Sequence, residues 1–220
     1  MDIIKIQGEL GWLEAIVETP GEVTYPEITA VLCHPHPLFQ GTMHNKVVTT
    51  MARVFRDLGI QSIRFNYRGV GGSEGEYGEG VGELDDTLKV IEYIKQQKPG
   101  QKLILAGFSF GGSVAYKAAA ISSDVMALLT IAPAVINFPV DGFNEPQMPW
   151  CVVQGIDDEV VDADAVFDVV LKKTKSDATI IKMNEVGHFF HGKLTDLKQE
   201  LTDYFQPRLS RLNHGIKKEI

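Results

Sequence analysis

Two Gly-x-Ser-x-Gly segments give the sequence its candidate nucleophiles. In such a segment the glycines let a serine occupy a sharp, strained turn between a strand and a helix. Residues 107–111, centred on Ser109, directly follow an apolar run and open a stretch of small residues, as this turn requires. Residues 71–75, centred on Ser73, lie among glutamates after a strand that has already ended. We therefore predict Ser109 as a nucleophile and Ser73 as part of a glycine turn.

A serine hydroxyl is a weak nucleophile at neutral pH, so it needs a histidine base that is oriented by a carboxylate. In folds that hold a serine on such a strand-to-helix turn, the catalytic residues follow the chain order serine, acid, histidine. Three histidines come after Ser109 in the sequence. His188 follows Gly187 at the end of a predicted strand and is the predicted base. His191 is interpreted as a capping or core residue, and His214 belongs to the tail.

The acid is expected at the end of the predicted strand 150–154, the strand before the one that leads to His188. Gly155 and Ile156 are followed there by three carboxylates, Asp157, Asp158 and Glu159. Asp162 already has a structural role as the predicted N-cap of the next helix. The residues alone leave Asp157 and Asp158 open.

The elements that must position these groups alternate along the chain. Predicted strands are residues 3–7, 12–17, 30–33, 61–67, 103–106, 127–132, 150–154 and 179–186. Predicted helices are residues 47–58, 81–94, 112–121, 163–173 and 194–205, the last ending before Pro207. We expect an α/β fold in which an antiparallel hairpin precedes a mostly parallel sheet with helices on both faces. Sites in such sheets form at the carboxyl ends of the strands.

Composition sets the class of protein and of partner. The 220 residues are 44% hydrophobic and 23% charged, which excludes disordered, collagen-like and coiled-coil classes and favours one domain over residues 1–220, with 208–220 as a loose tail. The formal net charge of −8 disfavours nucleic acid and membrane surfaces and favours a small-molecule substrate. Exposed apolar strands at the sheet edge would allow a homodimer. We predict a cytoplasmic protein for two reasons. Its two cysteines, Cys33 and Cys151, lie far apart in apolar segments, and the sequence shows no export signal.

Five segments resemble the α/β-hydrolase superfamily, specifically its small, lidless bacterial members related to dienelactone hydrolases and serine aminopeptidase-like esterases. They are residues 107–112 (GFSFGG), 33–38 (CHPHPL) with 41–47 (GTMHNKV), 64–71 (RFNYRGVG) and 187–192 (GHFFHG). The resemblance covers nearly the whole chain. It implies an α/β-hydrolase fold with about eight strands and no cap domain, and a carboxylesterase-like serine hydrolase without a cofactor.

The resemblance also implies the remaining site residues. The acid of the superfamily stands third after a glycine and three residues before a valine, which selects Asp158; Gln154 and Asp162 depart from the usual histidine and proline. Two backbone N–H groups form the oxyanion hole, and Phe110 supplies one. His34, His36 and Leu38 are candidates for the other, since prolines have no N–H, and by analogy His36 is chosen.

Apolar side chains on the neighbouring loops suggest a pocket for small esters, thioesters or short acyl-amides. The set comprises Leu38, Phe39, Phe108, Phe138, Phe143, Met148, Phe189 and Phe190, with Leu38, Phe39, Phe108 and Phe189 as the predicted substrate-binding residues. Two alternatives remain. One is a binding scaffold without catalysis, and the other is a metal-dependent hydrolase in which His34 and His36 join His44 or His188.

Overall fold

Eight strands form one sheet in the computed structural model, which describes residues 2–174 and 178–216, with side chains up to residue 211. Their order across the sheet is β1-β2-β4-β3-β5-β6-β7-β8. The strands are β1 (Asp2–Gln7), β2 (Trp12–Glu18), β3 (Ile28–Cys33), β4 (Gln61–Phe65), β5 (Lys102–Phe108), β6 (Val125–Ile131), β7 (Trp150–Gly155) and β8 (Ala178–Met183). The β1–β2 and β2–β4 pairs are antiparallel and the other five pairs are parallel. The predicted hairpin and mostly parallel sheet are therefore confirmed.

Within the described residues, five α-helices cover the two faces of the sheet: α1 (Lys46–Asp57), α2 (Gly82–Gln97), α3 (Phe110–Ile121), α4 (Ala163–Lys173) and α5 (Leu194–Ile216). Buried residues of α2, α3 and α4 share one hydrophobic core, and those of α1 and α5 share the other. Alternate residues of β3 enter the two cores, with Val31 and Cys33 in the first and Ala30 and Leu32 in the second. This two-sided burial explains why the strand is apolar along its whole length.

The last helix does not end where the sequence predicts. α5 continues through Pro207 to Ile216, so the expectation of a loose tail from residue 208 is wrong for the described part, and residues 217–220 lie outside it. A proline removes one helical N–H, yet burial can outweigh that loss. Leu209 is only 3% exposed, and Arg208 donates to the Tyr204 carbonyl (2.8 Å) while stacking on that ring.

The connection between β6 and β7 is irregular and contains neither helix nor strand over residues 132–149, all of which are described. This fits the expectation of a fold without a cap domain. Within the described residues, each helix is too short or too polar to traverse a lipid bilayer.

Candidate active site

Ser109 occupies the turn between β5 and α3 with φ 54° and ψ −119°, a conformation that is strained for any residue except glycine. The strain is held by hydrogen bonds at both ends of the residue. The Ser109 N–H donates to the Ile131 carbonyl (2.8 Å), and the Ser109 carbonyl accepts from Gly112 and Ala134. The two motif glycines are required by close packing: a Cβ at Gly107 would strike the Gly111 carbonyl, and a Cβ at Gly111 would strike the carbonyl oxygens of Cys33 and His34.

Ser109, His188 and Asp158 form one chain of hydrogen bonds at the carboxyl ends of β5, β8 and β7. His188 Nε2 lies 3.0 Å from Ser109 Oγ, and His188 Nδ1 lies 2.8 Å from Asp158 Oδ2 and 3.1 Å from Oδ1. A carboxylate can only accept, so the proton of the neutral ring is on Nδ1 and Nε2 is free to accept from the serine. This geometry can transfer a proton from the Ser109 hydroxyl to His188.

The surroundings of Asp158 keep it ionised. Its carboxylate is fully buried, which by itself opposes ionisation, but hydrogen bonds from His188 and from the Val161 and Val160 amides hold the pKa of this carboxyl below its usual value. Asp157, the alternative left open by the sequence, is exposed, and its backbone N–H donates to the Val186 carbonyl (3.2 Å). Of the two aspartates, only Asp158 contacts the histidine.

Two further polar residues support this chain, and sequence reasoning did not assign either role. The Gln154 side-chain amide donates to Asp158 Oδ2 (3.0 Å), so the residue that departs from the superfamily pattern itself contacts the acid. Glu159 Oε2 accepts the backbone N–H of His188 (3.1 Å) and fixes the loop that carries the base. The departure at Gln154 is visible in the sequence, whereas Glu159 is only one of three consecutive carboxylates there.

Phe108 was predicted to bind substrate, and this is wrong. Its side chain is 0% exposed, because it is the last residue of β5 and points into a core. Its ring lies 5.1 Å from that of His188 and 6.3 Å from that of Phe190, which is also fully buried. Phe108 therefore packs behind the imidazole and cannot contact a ligand.

The other three predicted substrate-binding residues lie at the surface around the site. Leu38 is 66% exposed, Phe39 82% and Phe189 49%, and the Phe189 ring contacts that of His188 at 5.1 Å. Phe138 lies beside the site with its ring 4.6 Å from that of Phe110. Phe143 and Met148 instead line a separate cavity of about 740 Å³ at the amino-terminal ends of β6 and β7.

His34 locks the loop that follows β3. Its Nδ1 lies 2.6 Å from the Pro35 carbonyl, which can only accept, and its Nε2 lies 3.1 Å from the Tyr67 amide, which can only donate. These partners fix one neutral tautomer. Burial, the largest cause, lowers the pKa of His34 to about 4, so the ring is neutral at physiological pH.

The two backbone amides predicted for the oxyanion hole are unpaired in the described part of the chain. Among the hydrogen bonds of residues 2–174 and 178–216, neither the Phe110 nor the His36 N–H has an acceptor. The Leu38 N–H, another candidate, donates to His36 Nδ1 (3.2 Å) and is thus already used. The His36 ring lies 4.9 Å from that of Phe110, which brings the loop after β3 against the start of α3.

In the part of the chain that the structure describes, Ser73 has no hydrogen bond to a histidine. Its Oγ donates to the Asn66 carbonyl (2.7 Å) and accepts the Glu14 N–H (2.9 Å), so this serine fastens its loop to β2. His191 is exposed and contacts Phe189, whereas the side chain of His214 lies outside the described residues.

The histidines of the alternative metal site do not fit a metal ion. Both ring nitrogens of His34 are engaged by backbone groups, and those of His36 are engaged by Leu38 and Tyr77. His44 instead lies beside Arg64, with their nitrogens 3.4 Å apart. In the part of the chain that the structure describes, no cluster of three metal-binding side chains occurs.

Comparison with known proteins agrees with this geometry. Residues 39–145 match the family model described as serine aminopeptidase, S33. An α/β serine hydrolase homologue from Coxiella burnetii is 38% identical, with a TM-score of 0.86 over 92% of this chain and 96% of that one. A member of the α/β serine hydrolases without a lid, from Xanthomonas campestris, is 40% identical, with a TM-score of 0.86 over 92% of each chain. An uncharacterized protein of Rickettsia prowazekii is 33% identical over 84% of this chain and 81% of its own length. The chain belongs to the α/β-hydrolase superfamily and is similar to its lidless serine hydrolases.

Proposed function

We propose that the protein hydrolyses a small ester, thioester or short acyl-amide through an acyl-enzyme on Ser109. The observation that carries the proposal is the 3.0 Å contact between His188 Nε2 and Ser109 Oγ, with Asp158 behind the imidazole. His188 takes the hydroxyl proton while Ser109 Oγ attacks the carbonyl carbon, and the protonated ring then gives that proton to the leaving group. Water deacylates the serine by the same steps, with His188 again as the base.

We infer that the Phe110 and His36 N–H groups hold the oxyanion of the tetrahedral intermediate. Both amides lack an acceptor within the described residues, and the loop after β3 packs on the start of α3. The first amides of a helix also carry partial positive charge, and α3 has no side-chain cap at this end to compete for them. Losing one such donor typically lowers the rate about 10²- to 10³-fold.

An open site supports small substrates. The β6–β7 connection forms no helical lid, and Leu38 and Phe39 stand exposed at the margin of the site. We therefore expect a carboxylesterase that prefers short acyl chains, because an open site can bind them whereas long chains need an enclosed apolar channel. Rates for p-nitrophenyl acetate, butanoate and palmitate test this, and a preference for palmitate contradicts it.

Labelling with a fluorophosphonate probe tests the nucleophile. We expect wild type and Ser73→Ala to react and Ser109→Ala to remain unlabelled, because the Ser73 hydroxyl is held by two backbone groups. A binding scaffold would leave all three proteins unlabelled. A metal-dependent hydrolase would lose ester hydrolysis in EDTA and keep it after serine labelling, the opposite of what we expect.

A cytoplasmic location and a small acyl substrate as the partner stay predictions. The support for the location is that Cys33 and Cys151 are free, buried thiols in cores on opposite faces of the sheet, where they cannot pair with each other. A homodimer through the edge strands also stays a prediction, which light scattering would test.

A further inference from the structure

Tyr77 lies in the loop between β4 and α2, and the proposed reaction does not use it. Its hydroxyl is 3.0 Å from His36 Nε2, and the two ring centroids are 5.0 Å apart. The tyrosine is half-buried. It therefore contacts the residue whose backbone N–H we place in the oxyanion hole.

The direction of this hydrogen bond follows from the other side of the imidazole. The Leu38 N–H can only donate, so His36 Nδ1 accepts it and carries no proton. Burial lowers the pKa of His36, which favours the neutral ring with its single proton on Nε2. His36 Nε2–H then donates to the Tyr77 oxygen, and the phenol proton is left for another acceptor.

Nothing in the described part of the chain accepts that proton. Burial, and then the charges of Glu83 and Glu79, raise the pKa of Tyr77, so the phenol stays protonated at neutral pH. A half-buried donor without a protein acceptor takes its partner from water or from a ligand.

Aromatic rings surround the imidazole that this phenol contacts. The His36 ring lies 4.9 Å from Phe39, 4.9 Å from Phe110 and 5.3 Å from Phe138. The Tyr77 ring is 6.4 Å from that of Phe110, the residue after the nucleophile. Apolar walls with a single polar group are typical of small-molecule sites, in which the polar group sets the orientation of the ligand.

We propose that Tyr77 binds substrate, its phenol O–H donating to an oxygen of the acyl group close to the reacting carbonyl. This inference rests on the proposed function and narrows its substrate class. The enzyme then favours acyl groups that carry an ether, hydroxyl or keto oxygen near the carbonyl over plain alkyl groups of the same size.

The test compares two esters in three proteins. p-Nitrophenyl methoxyacetate and p-nitrophenyl butanoate have acyl groups of the same length that differ by an oxygen in place of a methylene. We expect Tyr77→Phe to lower the ratio of their kcat/KM values (methoxyacetate over butanoate) about tenfold, the effect of losing one hydrogen bond. Tyr93→Phe removes a hydroxyl from a half-buried tyrosine on α2 outside this cluster and should leave the ratio unchanged.

Each other outcome overturns the inference in a recognisable way. An unchanged ratio in Tyr77→Phe, with wild type still labelled by the fluorophosphonate probe, refutes the role of Tyr77 alone. Equal losses of about 10²- to 10³-fold for both esters make the phenol an oxyanion donor instead of a selectivity group. A wild type that hydrolyses neither ester and is not labelled refutes the proposed function, and this inference with it.

Discussion

Replacing Asp158 by asparagine tests how the base is oriented. The carboxylate accepts from His188, from the Val160 and Val161 amides on Oδ1, and from Gln154 on Oδ2. An asparagine keeps one acceptor, and the two Val amides hold its oxygen on their side because both can only donate. Its amide nitrogen then faces His188 Nδ1 and the Gln154 amide.

A donor opposite Nδ1 forces the proton of the ring onto Nε2, so Nε2 can no longer accept a hydrogen bond from Ser109. In a serine protease triad the same substitution lowers kcat about 10⁴-fold through the wrong tautomer. We expect a loss of this order, about 5 kcal/mol of transition-state stabilisation. The Gln154 amide also loses one acceptor but keeps the Gly155 and Val161 carbonyls, so the free energy of unfolding should fall by about 1 kcal/mol, the net effect of one hydrogen bond.

The assay is kcat for p-nitrophenyl acetate at pH 7, together with urea unfolding of each protein. Asp157→Asn is the matched control, since this neighbouring carboxylate is exposed, and we expect its kcat to stay within about twofold of wild type. A folded Asp158→Asn protein whose kcat falls less than about tenfold would refute the orienting role. An equal loss in Asp157→Asn would show that the wrong aspartate was assigned.

Three further predictions concern packing and pH. Gly111→Ala places a methyl group against the carbonyl oxygens of Cys33 and His34 and should cost about 3 kcal/mol of stability as well as activity, whereas Gly142→Ala, with open space around it, should cost almost nothing in a thermal melt. The pKa of His34 is lowered from 6.5 to about 4, so the unfolded chain binds a proton that the folded chain excludes. The contribution of the neutral His34 to the free energy of unfolding is therefore fully present above pH 6.5 and falls by about 3 kcal/mol as the pH drops towards 4. Urea titrations of His34→Gln should show a weaker pH dependence than those of wild type. Leu209→Ala should lower the free energy of unfolding by about 3 kcal/mol, because the leucine is buried beyond Pro207.

The opposing results are equally definite. Equal melting temperatures for Gly111→Ala and Gly142→Ala would contradict the packing of the serine turn on β3. An identical pH dependence in wild type and His34→Gln would mean that the ring is not buried in its neutral form. A neutral Leu209→Ala would indicate that the last helix ends at Pro207.

Local patterns determined much of this protein. The alternation of apolar strands with amphipathic helices, and the glycines around Ser109, predict the parallel sheet and the turn because both follow from steric and burial rules that act over a few residues. The chain order of serine, acid and histidine reduced the candidate bases to His188, His191 and His214. The boundaries of β4, β8 and α5 were less accurate, since they depend on contacts with distant parts of the chain.

Tertiary structure decided what local patterns leave open. Residues 157–159 are three consecutive carboxylates, and only the tertiary structure separates their roles. Asp158 contacts the His188 ring, Glu159 accepts the His188 backbone N–H, and Asp157 faces solvent. The sequence predicts Phe108 as a loop residue beside the serine, yet the pleat of β5 points its side chain into the core. The link between Tyr77 and His36 joins two loops from different strands, 41 residues apart. Sequence fixes which groups exist, whereas distance and orientation between remote groups arise only when the strands pack side by side.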